Sequence, residues 1–190
     1  MVASLVALGC QPEEVRAIAI THDDVDHTGR LASLQAVSAA EVIAHELEAP
    51  RLARDRWREP PGTTMAFRLI GGVLERFYRR FQHSPVRVSR PVRDGDALPG
   101  GWIVVHTPGH TPGHTAYYHP GLHTLIAGDA LRSTPGGQLR FPMRIYTEDS
   151  AAAAQSIRKL AELEPQVICF GHGPVLRDAA APLREFAEVL

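Results

Sequence analysis

Short apolar runs that end in polar clusters alternate with segments of helical periodicity along this chain of 190 residues. Apolar residues at three- and four-residue spacing predict a helix over about residues 27–37. An apolar strand is expected before it at 15–20 and a short buried strand after it at 42–44, with an opening helix at 2–9. The first third is therefore β–loop–α–β, which is typical of layered α/β proteins.

The second half of the chain carries short apolar runs separated by turn residues. Asp94-Gly95-Asp96 and Pro99-Gly100-Gly101 are such turns. Helices are predicted at about 149–163 and near 177–190. The predicted strands lie at 86–88, 102–105, 115–118, 124–127 and 167–170.

The segment between these halves is predicted to be helical but less regular. Glu59-Pro60-Pro61-Gly62 interrupts residues 46–82, and large apolar side chains gather in the second part of that range. We interpret about 46–97 as a helical insertion that caps the site of a single domain over 1–190, although core packing also explains its apolar residues. The candidates to border a substrate are Trp57, Phe67, Phe77, Tyr78, Phe81, Phe141 and Tyr146.

Composition argues against several classes of protein. Twenty Lys and Arg residues against 21 Asp and Glu residues give a net charge of −1, so nothing favours nucleic acid or an anionic membrane as partner. The basic runs at 51–56 and 79–80 are interpreted as solvated helix faces. Cys10 and Cys169 form no CxxC pair, and no apolar run is long enough to cross a bilayer. We therefore expect a cytoplasmic protein with a small-molecule substrate.

Histidine and aspartate gather where predicted strands end, and these clusters carry the candidate chemistry. The clusters are 22–27 (His-Asp-Asp-Val-Asp-His), 107–114 (Thr-Pro-Gly-His-Thr-Pro-Gly-His), 127–129 (Ala-Gly-Asp) and 170–173 (Phe-Gly-His-Gly). Imidazole and carboxylate suit Zn, Mn or Fe, and strand ends hold ligands rigidly. Because residues i and i+2 of an extended loop point the same way, the first cluster has ligands for one metal and, next to them, for a second.

Two other interpretations of the first cluster are weaker. Asp24-x-Asp26-x-Thr28-Gly29 resembles the start of an EF-hand loop, but its twelfth position is Gln35 and not the bidentate Glu of such loops. Taken alone, the cluster also fits a helix N-terminus with Asp caps. Four clusters in one chain make a metal site the better explanation.

The order of these clusters resembles that of the metallo-β-lactamase superfamily. The first cluster is similar to the HxHxDH signature, and it is followed by the TPGHTPGH segment, a Gly-Asp after a strand and a final Gly-His-Gly. The resemblance covers nearly the whole chain and implies an α/β fold, the αββα sandwich. It also implies a first metal ion held by His22, Asp24 and His110, a second held by Asp26, His27 and His172, and Asp129 bridging both.

The remaining histidines are expected to have other roles. His114 matches the second histidine of the TPGHTPGH segment, and we expect it to support the site instead of binding metal. His106 precedes that segment within a strand. A surface position or a local hydrogen bond is expected for it and for the histidines without motif support, which are His45, His83, His119 and His123.

The resemblance implies a dinuclear metallohydrolase. Two cations about 3.5–4 Å apart bridge a water molecule and lower its pKa from about 15.7 toward about 7, and the resulting hydroxide attacks a small ester, thioester or lactone. Asp26 is expected to orient that water and is the candidate catalytic residue. Two zinc ions are the expected cofactors. Asp24 stands where the signature usually has histidine, and this harder ligand keeps Mn and Fe open.

The chain begins at the helix that precedes the signature, so the first N-terminal strands of the sandwich are expected to be absent. A missing strand leaves a sheet edge unpaired and favours association, which makes a homo-oligomer possible. It also leaves the alternative of a truncated, catalytically silent metal-binding remnant. A mononuclear iron dioxygenase is another alternative, but the complete second ligand set of Asp26, His27 and His172 argues for two metals.

Overall fold

The structure is a computed structural model that describes residues 2–54 and 84–190, and it divides into two compact units. Among the described residues, the N-terminal unit comprises 2–54 and 84–91, and the C-terminal unit comprises 92–190. Most of the predicted cap lies outside the described residues, with the side chains of Trp57, Phe67, Phe77, Tyr78, Phe81 and His83. The cap and the single-domain organisation therefore stay predictions.

The N-terminal unit is built on a three-stranded sheet of order β1-β2-β3. Strands β1 and β2 run parallel, with Ala17 opposite Glu41 and Ala19 opposite Ile43. A left-handed residue, Ala39, ends the main helix and turns the chain into β2. The elements are α1 (Val2–Ala7), a 3-10 turn (Pro12–Glu14), β1 (Ala17–Ala19), α2 (Val25–Thr28), α3 (Leu31–Ser38), β2 (Glu41–His45), α4 (Ala49–Leu52) and β3 (Arg90–Val92).

The core of the N-terminal unit surrounds β2, the strand with the most buried pattern in this sheet. Its central residues, Val42 and Ala44, have no exposed surface. Burying a side chain such as valine or leucine contributes about 1.5–3 kcal/mol, so this strand anchors the unit. The cluster consists of Ile20, Leu31, Val42, Ala44, Leu52, Val86 and Val88.

The C-terminal unit is built on a six-stranded sheet of order β11-β10-β7-β6-β5-β4, beside a small β8–β9 hairpin. Strand β10 pairs parallel with β7, and the other neighbours pair antiparallel. The elements are β4 (Ala97–Leu98), β5 (Trp102–His106), β6 (Thr115–His119), β7 (Thr124–Gly128), β8 (Arg132–Ser133), β9 (Leu139–Arg140), α5 (Ser150–Ala161), β10 (Val167–Phe170), β11 (Leu176–Arg177) and α6 (Ala180–Glu188). Three 3-10 turns, at 99–101, 120–122 and 144–146, complete the unit.

Helix α5 begins at a capped terminus and buries one face. The Asp149 carboxylate accepts hydrogen bonds from the backbone N–H groups of Ala151 and Ala152, each at 2.9 Å. Ile157 and Leu160, on the buried face, have no exposed surface. They join the main core with Leu125 of β7 and other strand residues. This packing holds α5 on the sheet and fixes the loop that precedes it.

Most predicted elements are confirmed, and two are wrong. The strands predicted at 15–20, 42–44, 102–105, 115–118, 124–127 and 167–170 are present within a few residues. Residues 86–88 are not a strand, although Val86 and Val88 are buried; pairing begins at Arg90. The single helix predicted over 27–37 is two helices, because Gly29 closes α2 before α3 begins. None of the helices in the described part of the chain has the length and apolarity that a membrane span requires.

A surface ion pair ties the turn before β4 to α5. Asp94 Oδ1 accepts hydrogen bonds from Lys159 Nζ at 2.6 Å and from the His106 backbone N–H at 2.7 Å. Partial burial raises the pKa of Asp94, but these hydrogen bonds outweigh it and hold that pKa below its ordinary value of 3.8. The pair's contribution to stability is therefore complete above about pH 4 and is lost as the pH falls through the folded pKa.

We expect Lys159→Met to lower the free energy of unfolding by about 0.2–1 kcal/mol at pH 6, because both partners are substantially exposed. Urea unfolding at pH 6 and pH 3 measures this, and the difference from the wild type is expected to shrink at pH 3. Arg158→Met, an exposed change on the same helix, is the control. An equal loss at both pH values contradicts the assignment to Asp94.

Candidate metal centre

The N-terminal unit brings four predicted ligands together on the segment that follows β1. His22 Nε2 lies 3.6 Å from Asp24 Oδ2, and His27 Nε2 lies 3.7 Å from Asp26 Oδ2. The rings of His22 and His27 are 4.2 Å apart between centroids. Two ligand atoms on one tetrahedral zinc ion are about 3.3 Å apart, so both spacings suit a shared or neighbouring cation. We call these four residues the N-terminal ligand group.

Local hydrogen bonds shape the N-terminal ligand group. Thr28 Oγ1 and Thr28 N both donate to the Asp24 carbonyl at 2.9 Å, which closes the first turn of α2. The Asp24 side chain makes no capping hydrogen bond, so Asp24 does not have the role that the helix-cap interpretation requires. Thr21 Oγ1 lies 3.0 Å from His22 Nδ1 and occupies that side of the buried ring. The Nε2 atom is the one that faces the carboxylate.

The C-terminal unit brings its three predicted ligands to one edge of the six-stranded sheet. Strands β5, β7 and β10 run in the same direction, because β5 and β7 are both antiparallel to β6 and β10 is parallel to β7. His110, Asp129 and His172 follow these three strands. Asp129 Oδ2 lies 3.3 Å from His172 Nε2 and 4.0 Å from His110 Nε2. We call these three residues the C-terminal ligand group.

Burial differs within the C-terminal ligand group. His110 and Asp129 are 3% and 14% exposed, whereas His172 is 52% exposed. The buried members have little freedom to move, and the exposed histidine lies at the solvent side of the group. The three donors are imidazole nitrogens and a carboxylate oxygen, which suit Zn, Mn and Fe. The chemistry and spacing of this group therefore fit a bound cation.

His114 supports the site and is confirmed as a structural residue. Its Nδ1 lies 2.8 Å from Thr107 Oγ1, and its Nε2 accepts a hydrogen bond from the Asp129 backbone N–H at 3.0 Å. Because Nε2 is the acceptor, the network assigns the ring proton to Nδ1. Both ring nitrogens are occupied by protein groups, and the buried imidazole fixes the backbone of Asp129.

Gly109 lets the His110 loop lie directly on α5. Its φ of +136° is in a region that favours glycine, and an added Cβ would overlap the Ala153 backbone nitrogen. The Gly109 carbonyl accepts a hydrogen bond from Asp149 N at 2.9 Å, and the Pro108 carbonyl accepts one from Ser156 Oγ at 2.7 Å. The loop that carries His110 is thereby fixed by the helix N-terminus.

Gly173 has the same role beside His172. Its φ is +107°, and an added Cβ would overlap the Ser133 carbonyl oxygen. Ser133 N donates to the His172 carbonyl at 3.2 Å, and Ser133 Oγ donates to the Pro174 carbonyl at 2.6 Å. The hairpin that contains Ser133 therefore holds the exposed histidine in place.

Three of the other histidines are confirmed as locally bonded. His45 Nδ1 accepts from Leu47 N at 3.3 Å, His106 Nε2 lies 2.8 Å from the Pro112 carbonyl, and His119 bonds Gly100 and Leu122. Two of the seven aromatic residues predicted to border the substrate lie in the described part of the chain: Phe141 packs against the main core, and Tyr146 is exposed.

The contact between Asp23 and Arg51 is not predicted by the sequence pattern. The interpretation of Arg51 as part of a solvated helix face is wrong, because its side chain is 19% exposed and its Nε lies 3.0 Å from Asp23 Oδ2. The signal available in the sequence was the alternation of side chains in an extended segment, which directs Asp23 away from its two neighbours. The partner on α4 could not be identified from local pattern.

The chain has recognisable relatives. Residues 1–172 match the family model described as the metallo-beta-lactamase superfamily. The chain is 29% identical over 171 residues to the probable metallo-hydrolase YflN of Bacillus subtilis (strain 168). The aligned residues cover 84% of this chain and 65% of YflN.

Two solved structures are similar in fold and sequence. The metallo-beta-lactamase family protein TTHA1429 from Thermus thermophilus has a TM-score of 0.70 and 29% identity, covering 99% of this chain and 64% of that one. TTHA1623, solved in a di-iron-bound form, has a TM-score of 0.68 and 28% identity. The match covers 97% of this chain and 82% of TTHA1623. The chain thus spans slightly less than two thirds of the length of YflN and of TTHA1429.

We expect Gly109→Ala to lower the free energy of unfolding by more than the cost of holding an alanine at a positive φ, which is about 1–3 kcal/mol. The reason is the overlap with the α5 backbone, which only a shift of the His110 loop relieves. Thermal and urea unfolding measure the effect. The matched control is Gly95→Ala, because Gly95 also has a positive φ (+83°) but open space around it. Equal losses in the two variants would disprove the close-approach role of Gly109.

Proposed function

The chain belongs to the metallo-beta-lactamase superfamily, and from that premise we propose that it is a metal-dependent hydrolase with a dinuclear centre. The αββα fold predicted for the chain is confirmed by its structural relatives. The observation that most supports the proposal is the C-terminal ligand group, in which the Asp129 carboxylate lies within 4.0 Å of two imidazole nitrogens from separate loops. Strand ends hold side chains rigidly, and an imidazole–carboxylate–imidazole set is suited to a divalent cation.

The proposed ligand sets follow the order of the family's motifs. We assign His22, Asp24 and His110 to the first ion and Asp26, His27 and His172 to the second, with Asp129 shared. Two observations support this assignment. The His22–Asp24 and His27–Asp26 pairs have Nε2–Oδ2 distances of 3.6 and 3.7 Å. In these pairs and in the two pairs of the C-terminal ligand group, the imidazole atom nearest the carboxylate is Nε2. Imidazole Nε2 is a common metal-binding atom, and its orientation depends on the bond made by the other nitrogen.

Two divalent ions, when bound, acidify a water molecule and polarise the substrate group that it attacks. Asp26 is the proposed catalytic residue. Its side chain is 55% exposed, in contrast to the fully buried His22, so it is accessible to water and substrate. Its carboxylate is suited to accept a hydrogen bond from the attacking water and so orient it. The proposed substrate is a small ester, thioester or lactone.

Zinc is the proposed metal, and iron or manganese is the alternative. The seven ligands are four imidazoles and three carboxylates, with no thiolate, a set that all three metals accept. Asp24 adds a hard oxygen donor, and the di-iron form of the similar protein TTHA1623 supports the iron alternative. A small-molecule substrate without nucleic-acid or membrane partners, a cytoplasmic location and a homo-oligomer stay predictions.

The test of the proposal combines metal analysis with turnover. We expect about two equivalents of metal in purified protein, measured by plasma mass spectrometry, and hydrolysis of p-nitrophenyl acetate, a thioester or a lactone. Asp26→Asn preserves the shape of the side chain but removes its charge, and we expect it to lower kcat by about 10²–10⁴-fold. The control is Glu185→Gln, which removes a carboxylate from an exposed position on α6.

Each other outcome has a defined meaning. Folded wild-type protein without metal contradicts the proposed site. Two bound metals without turnover on any of these substrates support a silent metal-binding protein, and one bound iron with oxygen consumption supports a mononuclear dioxygenase. Undiminished turnover in Asp26→Asn removes Asp26 from its proposed role.

A further inference from the structure

Asp23 is a buried carboxylate between two proposed metal ligands. His22 Nε2 and Asp24 Oδ2 lie 3.6 Å apart, whereas the Asp23 side chain between them in the chain contacts Arg51 on α4 instead. Its side chain is 8% exposed, and its Oδ2 lies 3.0 Å from Arg51 Nε. Asp23 Oδ1 is also buried and has no hydrogen-bond partner within the described ranges. The bond from Arg51 is therefore the principal compensation for burying this charge.

Arg51 is approached by a second buried carboxylate. Glu48, three residues earlier, has no exposed side-chain surface, and its Oε2 lies 3.8 Å from Arg51 Nε. A guanidinium is planar, always charged and rich in donors, which makes it suited to lie between two carboxylates. Buried carboxylates are tolerated only when they are paired, and Asp23 and Glu48 share the same cation. We call these three residues the Arg51 clamp.

The Arg51 clamp connects the ends of two neighbouring strands. Asp23 follows β1 and Glu48 follows β2, and these strands are parallel, so both residues lie beyond the same edge of the sheet. Glu48 N donates to the His45 carbonyl at 2.9 Å, and Arg51 N and Leu52 N donate to the Glu48 carbonyl at 2.9 Å. Because α4 is anchored at the end of β2 in this way, Arg51 ties the segment after β1 to a rigid support.

We propose that Arg51, held between Asp23 and Glu48, is a positioning residue for the metal site. It fixes Asp23 on one side of the extended segment, and this fixes the direction of His22 and Asp24 on the other side. The inference rests on the proposed function, because it assumes that these two residues bind metal. Its distinctive consequence is that loss of the clamp weakens metal binding in protein that is still folded. If the ion pair were merely structural, its loss would lower the stability of the protein and leave the metal affinity unchanged.

The experiment measures metal affinity without depending on turnover. Metal-depleted protein is titrated with Zn²⁺ in competition with a chromophoric chelator, and Co²⁺ absorption reports the coordination geometry. The variants are Arg51→Met, Arg51→Lys and Asp23→Asn. We expect Arg51→Met and Asp23→Asn each to weaken the affinity for Zn²⁺ by about 10–100-fold, the usual effect of losing a residue that orients a metal ligand.

A conservative variant and a double variant separate the proposed role from a general loss of stability. Arg51→Lys retains the charge but not the Nε donor, and we expect an intermediate loss of affinity with an altered Co²⁺ spectrum. The double variant Asp23→Asn with Arg51→Met is expected to bind no more weakly than Arg51→Met alone, because both changes remove one interaction. The matched control is Arg54→Met, the same chemical change at an exposed position three residues later.

Melting temperatures and circular dichroism identify the folded variants, and Asp23→Asn and Arg51→Lys decide the question if Arg51→Met does not fold. Folded variants with wild-type Zn²⁺ affinity and a lower melting temperature overturn the inference and leave the proposed function intact. Wild-type protein that binds no metal overturns the proposed function, and the inference with it. Equal loss of affinity in Arg54→Met also overturns it, because the effect would then not depend on the clamp.

Discussion

The parallel pairing of β7 with β10 is the constraint on which the C-terminal ligand group depends. Parallel neighbouring strands end at the same edge of a sheet. The residues that follow β7 and β10, Asp129 and His172, are therefore brought together by the strand pairing itself. A backbone hydrogen bond from Gly171 N to the Gly128 carbonyl, at 2.9 Å, continues the pairing up to the ligands themselves. Strand β5 has the same direction and brings His110 to that edge. The sheet therefore determines which three loops bring the proposed ligands together.

The N-terminal unit uses the same device on a smaller sheet. The proposed ligands of this unit follow β1, and two residues of the Arg51 clamp, Glu48 and Arg51, follow β2, which is the parallel neighbour of β1. In each unit, ligand atoms are held by groups that do not face the proposed cations: Thr21 beside His22, His114 behind Asp129, and α5 behind the His110 loop. Most of these supports are backbone or buried contacts. A binding site of this kind is rigid before a ligand arrives, which lowers the reorganisation needed on binding.

The glycines beside the ligands show how closely packing and chemistry are connected. Gly109 and Gly173 both have positive φ, and both lie against backbone atoms of another element, Ala153 in one case and Ser133 in the other. A side chain at either position would displace the neighbouring histidine. Gly109 and Gly173 are thus explained by the close approach of two backbones, whereas the histidines beside them are proposed to bind cations.

Most elements and the candidate ligand types are predicted from local sequence, because both depend on short-range information. Strand and helix periods are visible within about ten residues. The proposed ligands stand in motifs only a few residues long: His22, Asp24, Asp26, His27, His110, Asp129 and His172. The groups that contact these residues depend on long-range packing. The Asp23–Arg51 pair joins residues 28 apart, and Ser133 bonds Pro174 across 41 residues. Such partners are selected by strand order and burial, and a local pattern carries no record of either. The same reason explains the wrong strand at 86–88, where burial without pairing produces the same apolar pattern as a strand.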